Sequence, residues 1–519
     1  MSLLKNTATI GGLTLVSRIL GFARDALAAQ FLGAGFANDA FLIAWRLPNL
    51  FRALFAEGAF SSAFVPMFNR ISGREGLPAA LAFAEDVLSV LFPVLVGFTA
   101  LMMLAAGPIV WAMTGGFPGV GGEGKFALAV ELTRITFPYL PLISLVSLAG
   151  GILNSLDRFW VNAATPVLLN VCLIGGLLLL RGTDATQTAG TQAIMVTIAG
   201  GVQLAWMVQA CWTAGVKLRL KLPKVTAEDR ELLRIVWPAA LGAGAVQFNL
   251  LISTSLAATF LPQGSVSYLY YADRLNQLPL GLIGIGVGTA MLPGLSRQIG
   301  RGDESGAGHT QNRAIELVLL LTLPATAALM VSATPILRGL LQHGAFTASD
   351  TIASAAALAA FSAGLPAYIL IKVLVPGFYA RADTKTPVRI ALVSMLVNLV
   401  GNLTLIWPFA HVGLAISTAI SAWVNAGLLY WTLRRRGQFT ADARLISTAL
   451  RLLAATAVMT VFLLIANHRV DQHVSGRLVE RGLWLGGYMA IAATLFFAAA
   501  FLFGAVKPRE VKAQLTRGA

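Results

Sequence analysis

The sequence predicts an all-α polytopic membrane protein with about 14 transmembrane helices, forming two six-helix parallel repeats and two C-terminal helices. Hydrophobic residues make up 57% of the 519-residue chain and charged residues only 12%, and the mean hydropathy is +0.75. The apolar residues occur in runs of about twenty, the length of helix that crosses a hydrocarbon core roughly 30 Å thick. Because these runs do not alternate with polar residues as barrel strands do, helices are the spanning structure that fits.

The connections between the apolar runs alternate in basic charge. One set holds most of the lysines and arginines, as at Lys217–Lys224 and Arg434–Arg436, whereas the other is poor in both except at Asn467–Arg481. The positive-inside rule makes the basic set cytoplasmic, and therefore both termini cytoplasmic. The net charge of +15 then reflects topology and requires no nucleic-acid partner. The predicted spans are residues 9–32, 37–68, 80–113, 126–154, 161–181, 189–214, 232–261, 265–296, 311–341, 351–380, 387–408, 412–433, 446–466 and 482–504.

Internal repetition defines the architecture. Arg46–Leu50 resembles Arg274–Leu278, and Glu85 matches Glu316, within a series of matches offset by roughly 220–230 residues. Because each copy holds an even number of spans, the halves are parallel repeats, which predicts a substrate site between them near the midplane. The predicted domains are an N-terminal six-helix lobe (1–220), a cytoplasmic linker (221–231), a C-terminal six-helix lobe (232–436), and two extra transmembrane helices with a cytoplasmic tail (437–519).

Ionisable residues are unusually dense between Ser17 and Glu57, inside two segments that are otherwise apolar enough to span a bilayer. Each arginine at the bilayer centre costs about 2.5–3.5 kcal/mol, so these positions are expected to face water, one another or an anionic ligand. Guanidinium groups bind phosphate oxygens through paired hydrogen bonds, which favours an anionic substrate over a cation. The alternative is that the arginines snorkel to an interface or form salt bridges between helices.

The second copy contributes fewer charges. Asp273 and Arg274 align with the Arg46 region, so a cationic position occurs on both halves. Lys372 lies within the tenth span and either lines the cavity or forms a structural pair. Asn398, Asn402 and Thr418 offer neutral oxygens for a small cation, although such side chains more often bond neighbouring helices.

The residues of metal and nucleophilic chemistry are dispersed. Cys172 and Cys211 both lie inside predicted spans, and neither belongs to a ligand-like cluster. The five histidines are scattered through loops and helix edges, which argues against a membrane-embedded transferase. We therefore expect no metal, no cofactor and no enzymatic activity. The histidines are His309, His343, His411, His468 and His473.

Four motifs carry a family resemblance: Ser17–Asp25 (SRILGFARD), Asn38–Phe41 (NDAF), Arg46–Arg52 (RLPNLFR) and Phe55–Ser61 (FAEGAFS). They closely resemble the MurJ (MviN) family, the bacterial lipid II flippases of the multidrug/oligosaccharidyl-lipid/polysaccharide exporter superfamily. The resemblance covers the whole chain. It implies an inner-membrane protein that moves undecaprenyl-pyrophosphoryl-disaccharide-pentapeptide from the inner to the outer leaflet by alternating access. Lipid II, membrane lipids and cell-wall synthesis proteins are the partners it implies.

The resemblance also implies roles for individual residues. Some family members bind sodium through carboxylates, but the matching positions here are Asn398, Asn402 and Thr418, so we expect coupling to membrane potential instead. A flippase for another polyprenyl-linked glycan, or a drug/cation antiporter of the same superfamily, is the alternative. The motifs assign Arg18, Arg24, Arg52 and Arg274 to pyrophosphate binding and Asp25, Asp39, Glu57 and Asp273 to the acidic or gating positions, with Ser17, Arg46, Asn49 and Lys372 as further cavity candidates.

Overall fold

The computed structural model describes residues 3–52, 59–117, 122–281, 285–474, 476 and 478–506. All regular structure in these ranges is helical, and nine helical segments there are long and apolar enough to cross a membrane. The predicted all-α polytopic class is thereby confirmed. The helices are α1 (Leu3–Leu32), α2 (Phe36–Phe51), α3 (Ala59–Glu75), α4 (Leu77–Leu104), α5 (Ala106–Thr114), α6 (Gly122–Thr136), α7 (Tyr139–Ser155), α8 (Phe159–Leu179), α9 (Ala185–Thr213), α10 (Ala227–Phe260), α11 (Ser265–Pro279), α12 (Ile285–Gly300), α13 (Glu304–Val331), α14 (Ala333–Leu341), α15 (Ala348–Ser362), α16 (Leu365–Tyr379), α17 (Lys385–Arg435), α18 (Ala443–His473) and α19 (Leu478–Leu502).

Several predicted spans are interrupted, and the interruptions recur in both copies of the repeat. The predicted span 126–154 is divided between α6 and α7, where Pro138 has no N–H to continue the helix. Its counterpart, 351–380, is divided between α15 and α16 beside Gly364. A Cβ at Gly364 would lie 2.8 Å from the Ala419 Cα, so only glycine permits this close approach. Spans 80–113 and 311–341 are divided at Ala105 and Ser332.

Helix α17 contains two predicted spans, 387–408 and 412–433. At Ala410 the backbone leaves the helical region, with φ 49° and ψ −132°. The chain reverses direction there. The residues on either side of the reversal lie so close that a Cβ at Gly413 would be only 2.1 Å from the Leu405 carbonyl oxygen. The two halves of α17 therefore form a helical hairpin.

Contacts between Cα atoms divide the chain into two compact units. The first contains residues 1–267 and 343–346, and the second contains 268–342 and 347–519. Helix α10 packs against α3 and α5 and so belongs to the first unit. Its first turn is fixed by a capping box in which Thr226 and Asp229 exchange hydrogen bonds. The lobe borders predicted from the repeat, at 220 and 232, stay a prediction.

An extended segment, residues 216–226, leaves the first repeat along the surface of α4. The backbone N–H of Arg219 donates to Glu85 Oε1 (3.0 Å), and that of Lys221 donates to Ser89 Oγ (2.8 Å). The Lys221 ammonium also pairs with Glu85 (3.0 Å) and Asp86 (3.1 Å). These hydrogen bonds to Glu85 and Asp86 raise the pKa of Lys221 above its usual range.

The second unit holds its own exit segment in a comparable way. Glu316, the repeat counterpart of Glu85, pairs with Arg313 and with Arg444, which begins α18. Arg313 also pairs with Asp442 in the same exit segment. Beyond this point α18 and α19 pack against α13 through a buried apolar cluster that includes Leu452.

Two adjacent glycines in α9 allow a matched test of helix packing. We expect Gly200→Ala to lower the free energy of unfolding by about 1–3 kcal/mol, because the new Cβ would lie 2.9 Å from the buried Tyr139 ring. Gly201→Ala is the control, since nothing lies within 4 Å of its Cβ and alanine favours the helix by ~1 kcal/mol. Thermal unfolding of the purified protein measures both. Equal midpoints for the two variants would contradict the close packing of α9 on Tyr139.

Candidate functional site

Asp39, in the predicted charged region, accepts four hydrogen bonds. It lies on the first turns of α2 and is 1% exposed. Its Oδ2 accepts from Lys125 Nζ on α6 (2.7 Å) and from the Gly264 backbone N–H (2.8 Å). Its Oδ1 accepts from Ser267, through both the backbone N–H (2.9 Å) and the hydroxyl (2.6 Å). The neighbouring Asn38 donates to the same Ser267 hydroxyl at 3.0 Å.

These bonds place a negative charge at the N-terminus of α11. A helix N-terminus carries unsatisfied N–H groups and a partial positive charge, which a carboxylate stabilises. Lys125, only 7% exposed, supplies the balancing full positive charge. Asp39 therefore joins α2, α6 and the turn before α11 through one buried ion pair and three further donors, all within the first unit.

Arg24 and Asp25 form a second buried pair on α1. The Arg24 guanidinium donates to Asp25 Oδ1 from Nε (3.0 Å) and from Nη2 (2.6 Å). The Arg24 Nη1 donates to Asn170 Oδ1 on α8 at 3.2 Å. The Asn170 amide in turn donates to the Ser17 carbonyl at 3.0 Å. Asn170 therefore orients the Arg24 fork and fixes α1 against α8.

The two arginines of α2 donate hydrogen bonds to uncharged side chains. Arg46 donates to the Thr254 hydroxyl on α10 from Nε (3.3 Å) and from Nη2 (2.6 Å). Arg52 donates to Asn49 Oδ1 from Nε (3.0 Å) and from Nη2 (2.8 Å). Arg46 thus tethers α2 to α10, and Asn49 acts as the local acceptor for Arg52. Glu57 lies outside the described residues.

Arg18 has a different environment. Its side chain is half-buried, and no hydrogen bond or ion pair engages it within the described ranges. Ser17, beside it, lines a cavity between α1 and α8. In the second unit Lys372 is exposed and likewise makes no ion pair with any described residue.

The remaining predicted residues lie in the second unit. Asp273 accepts a hydrogen bond from Gln277 one helical turn later, and the Arg274 guanidinium lies 5.7 Å from the centroid of the Tyr270 ring. Asn398 and Asn402 face the returning half of α17. Asn398 Nδ2 donates to Thr418 (3.2 Å), and Asn402 Nδ2 donates to Asn398 Oδ1 (3.1 Å).

The Asn398–Asn402–Thr418 cluster therefore works as a clamp within the α17 hairpin. Ser417 completes it by donating to the Asn398 carbonyl at 2.7 Å. Asn398 Oδ1 accepts from Asn402, so these side chains bond to one another and to the returning half of the hairpin. No group of three or more His, Cys, Asp or Glu side chains with metal-binding geometry occurs among the described residues.

The residues that sequence reasoning missed are the partners. Lys125 was visible as a lysine at the edge of a connection otherwise poor in basic residues, and Asn170 as an amide in the middle of an apolar span. Ser267 and Thr254 gave no signal, because small hydroxyl residues are ordinary in membrane helices. The predicted charges were recognisable from the cost of inserting them, whereas the hydroxyl partners Ser267 and Thr254 were not.

The buried Asp39–Lys125 pair gives a testable energetic prediction. Asp39→Asn leaves the Lys125 ammonium buried without its carboxylate, so we expect the free energy of unfolding to fall by about 3–5 kcal/mol. Lys125→Met should be similarly destabilising, whereas the double variant should lose less than the sum of the two. Thermal unfolding of all four proteins measures the coupling. Strictly additive losses would mean that the two side chains do not interact.

Known sequences match this chain over nearly its whole length. A family model described as lipid II flippase MurJ matches residues 28–483. A probable lipid II flippase MurJ of Rhizobium meliloti (strain 1021) is 42% identical, over 100% of this chain and 97% of that protein. The protein of the same description from Vibrio cholerae serotype O1 is 38% identical, with 98% of each chain covered.

Solved structures give the same result at the level of the fold. A lipid II flippase MurJ in an inward closed conformation matches with a TM-score of 0.79 at 25% identity, covering 97% of this chain and 99% of that one. An inward-facing multidrug resistance MATE transporter of the MOP superfamily matches with a TM-score of 0.69 over 83% of this chain. At 16% identity the second likeness is one of fold alone. With the family model and the relatives covering nearly the whole sequence, this multi-pass membrane protein belongs to the lipid II flippase MurJ family.

Proposed function

We propose that this protein moves lipid II, undecaprenyl-pyrophosphoryl-disaccharide-pentapeptide, from the inner to the outer leaflet of the bacterial cytoplasmic membrane by alternating access. Full-length membership of the family supports this substrate, since relatives at 38–42% identity carry the lipid II flippase description. The MOP-superfamily fold supports the transport mode. The protein then performs transport without making or breaking covalent bonds.

The observation that carries the proposal is the state of the arginines on α1. Among the described residues Arg18 makes no hydrogen bond or ion pair, so its guanidinium is available to an incoming anion. Arg24, six residues later, is already held in place by Asp25 and Asn170. A guanidinium held in this way binds an anion with less loss of side-chain entropy. We assign Arg18 and Arg24 to the pyrophosphate, with Arg52 and Arg274 as further ligands.

The acidic positions have a separate role in this proposal. Asp25 orients Arg24, and Asp39 holds the N-terminus of α11 closed against α2. Release of the Asp39 bonds would free this end of the first unit, which suits a gating residue. We place both termini in the cytoplasm from the charge of the connections and propose coupling to membrane potential. Cell-wall synthesis proteins are the partners that would supply and use the substrate.

Depletion in cells tests the function. Loss of the protein should trap lipid II in the inner leaflet, because its large polar headgroup does not cross the hydrocarbon core unaided. Leaflet-specific labelling of lipid II measures this, with a re-expressed wild-type gene as the control. Unchanged outward movement after depletion would overturn the proposal. Trapping of a different polyprenyl-linked glycan, with lipid II unaffected, would favour the alternative substrate.

Removal of one charge tests the site. We expect Arg18→Gln to weaken binding of undecaprenyl pyrophosphate by ten-fold or more, since a charged hydrogen-bond donor is worth about 1.5–3 kcal/mol. Arg301→Gln is the matched control, because Arg301 is an exposed arginine in the turn after α12. Binding to purified protein in nanodiscs gives the ratio, and membrane yield checks insertion. Equal affinities for both variants would place the pyrophosphate elsewhere.

A further inference from the structure

A small cavity lies in the first unit between α1, the end of α7 and the start of α8. Its volume is about 320 Å³, near the lower end of the range of about 300–1,000 Å³ for ligand pockets. Such a volume admits one ring-sized group and not an extended peptide. The lining residues are Ile10, Thr14, Ser17, Asn154, Phe159, Asn162, Ala163 and Pro166.

Among the residues that the structure describes, the lining has polar atoms but no charged group. Asn154 and Asn162 each bring a side-chain amide, which offers two donors and one acceptor oxygen. Neither amide makes a hydrogen bond to any residue that the structure describes, although both lie within a membrane-spanning protein. Thr14 and Ser17 add hydroxyl groups, and Phe159 adds an aromatic face. Thr14 is exposed and Asn154 and Asn162 are half-buried, so a ligand in this cavity can reach all three polar groups.

The cavity is connected to the predicted pyrophosphate residues. Ser17 lies in its wall, and Arg18 is the next residue. Asn170 bonds the Ser17 carbonyl and also the Arg24 guanidinium, so it bridges the cavity wall and the charged pair. Ser17 and Arg24 are seven residues apart on α1, which at 1.5 Å per residue is about 10 Å along the helix axis. A group bonded directly to a pyrophosphate at Arg18 and Arg24 reaches this cavity.

We propose that this cavity, which we call the α1–α8 pocket, binds a neutral N-acetylated sugar ring of the substrate headgroup. This inference rests on the proposed function. The described residues of its lining carry no ionised group, which disfavours both the pyrophosphate and the carboxylates of a peptide, because each would be desolvated without a counter-charge. Hydroxyl and acetamido groups both donate and accept, which matches the two asparagine amides. Phe159 then packs against the apolar face of the ring.

A sugar subsite makes a prediction that a purely structural pocket does not. Asn162→Leu removes one amide while keeping the side-chain size similar. We expect this variant to weaken binding of lipid II about ten-fold and to leave binding of undecaprenyl pyrophosphate, which lacks the sugars, within two-fold of wild type. Asn154→Leu should show the same selectivity. Arg18→Gln should weaken both ligands, since both contain the pyrophosphate.

The experiment measures both lipids against the full-length protein in nanodiscs, with thermal unfolding as the check on folding. Thr404→Val is the matched control, because this exposed hydroxyl bonds only backbone carbonyls of its own helix. Selective loss of lipid II affinity in either asparagine variant, with an unchanged unfolding midpoint, supports the subsite. Wild-type affinity in both asparagine variants, or equal loss of both lipids in a folded variant, overturns it. A wild-type protein that binds neither lipid instead overturns the proposed function.

Discussion

One buried carboxylate determines how an entire end of the first unit is assembled. Asp39 takes part in an ion pair with Lys125 and receives the N–H groups at the start of α11. A carboxylate without these partners would be too costly to bury, and the N–H groups without a carboxylate would be left unsatisfied. Each side therefore requires the other. This mutual requirement fixes α2, α6 and the turn before α11 as a single arrangement.

The sequence was sufficient to predict the helical class, the repeat and most of the spans. Runs of about twenty apolar residues report directly on bilayer thickness, and matched motifs such as Glu85 and Glu316 report on duplication. The interruptions within spans were not predicted. The hydropathy pattern does not detect these interruptions, because an interrupted helix at membrane depth is as apolar as a continuous one. Prolines were the local indication: Pro138 lies at one break, and Pro108 and Pro335 follow the breaks at Ala105 and Ser332 by three residues.

The sequence predicted which charged residues belong to the candidate site. It did not predict which residues they bond to. Asp39 lies 86 residues from Lys125 and 228 from Ser267, so their proximity follows from the tertiary fold and not from any local pattern. The same holds for Arg24 and Asn170, which are 146 residues apart. The structure separates arginines that already have protein partners from Arg18, which has none among the described residues. Composition alone treats all of them as equivalent.

Glu85 and Glu316 have a consequence for how such a chain is assembled during evolution. Each anchors the segment that leaves its own repeat, residues 216–226 in one case and the stretch before α18 in the other. In each repeat this glutamate binds the segment that follows. A repeat of this kind can be followed by a different segment without changes to its own helices. In the first copy the glutamate receives the link to the second module. In the second copy it receives the segment that leads into α18 and α19, so the same position of the repeat serves two different extensions.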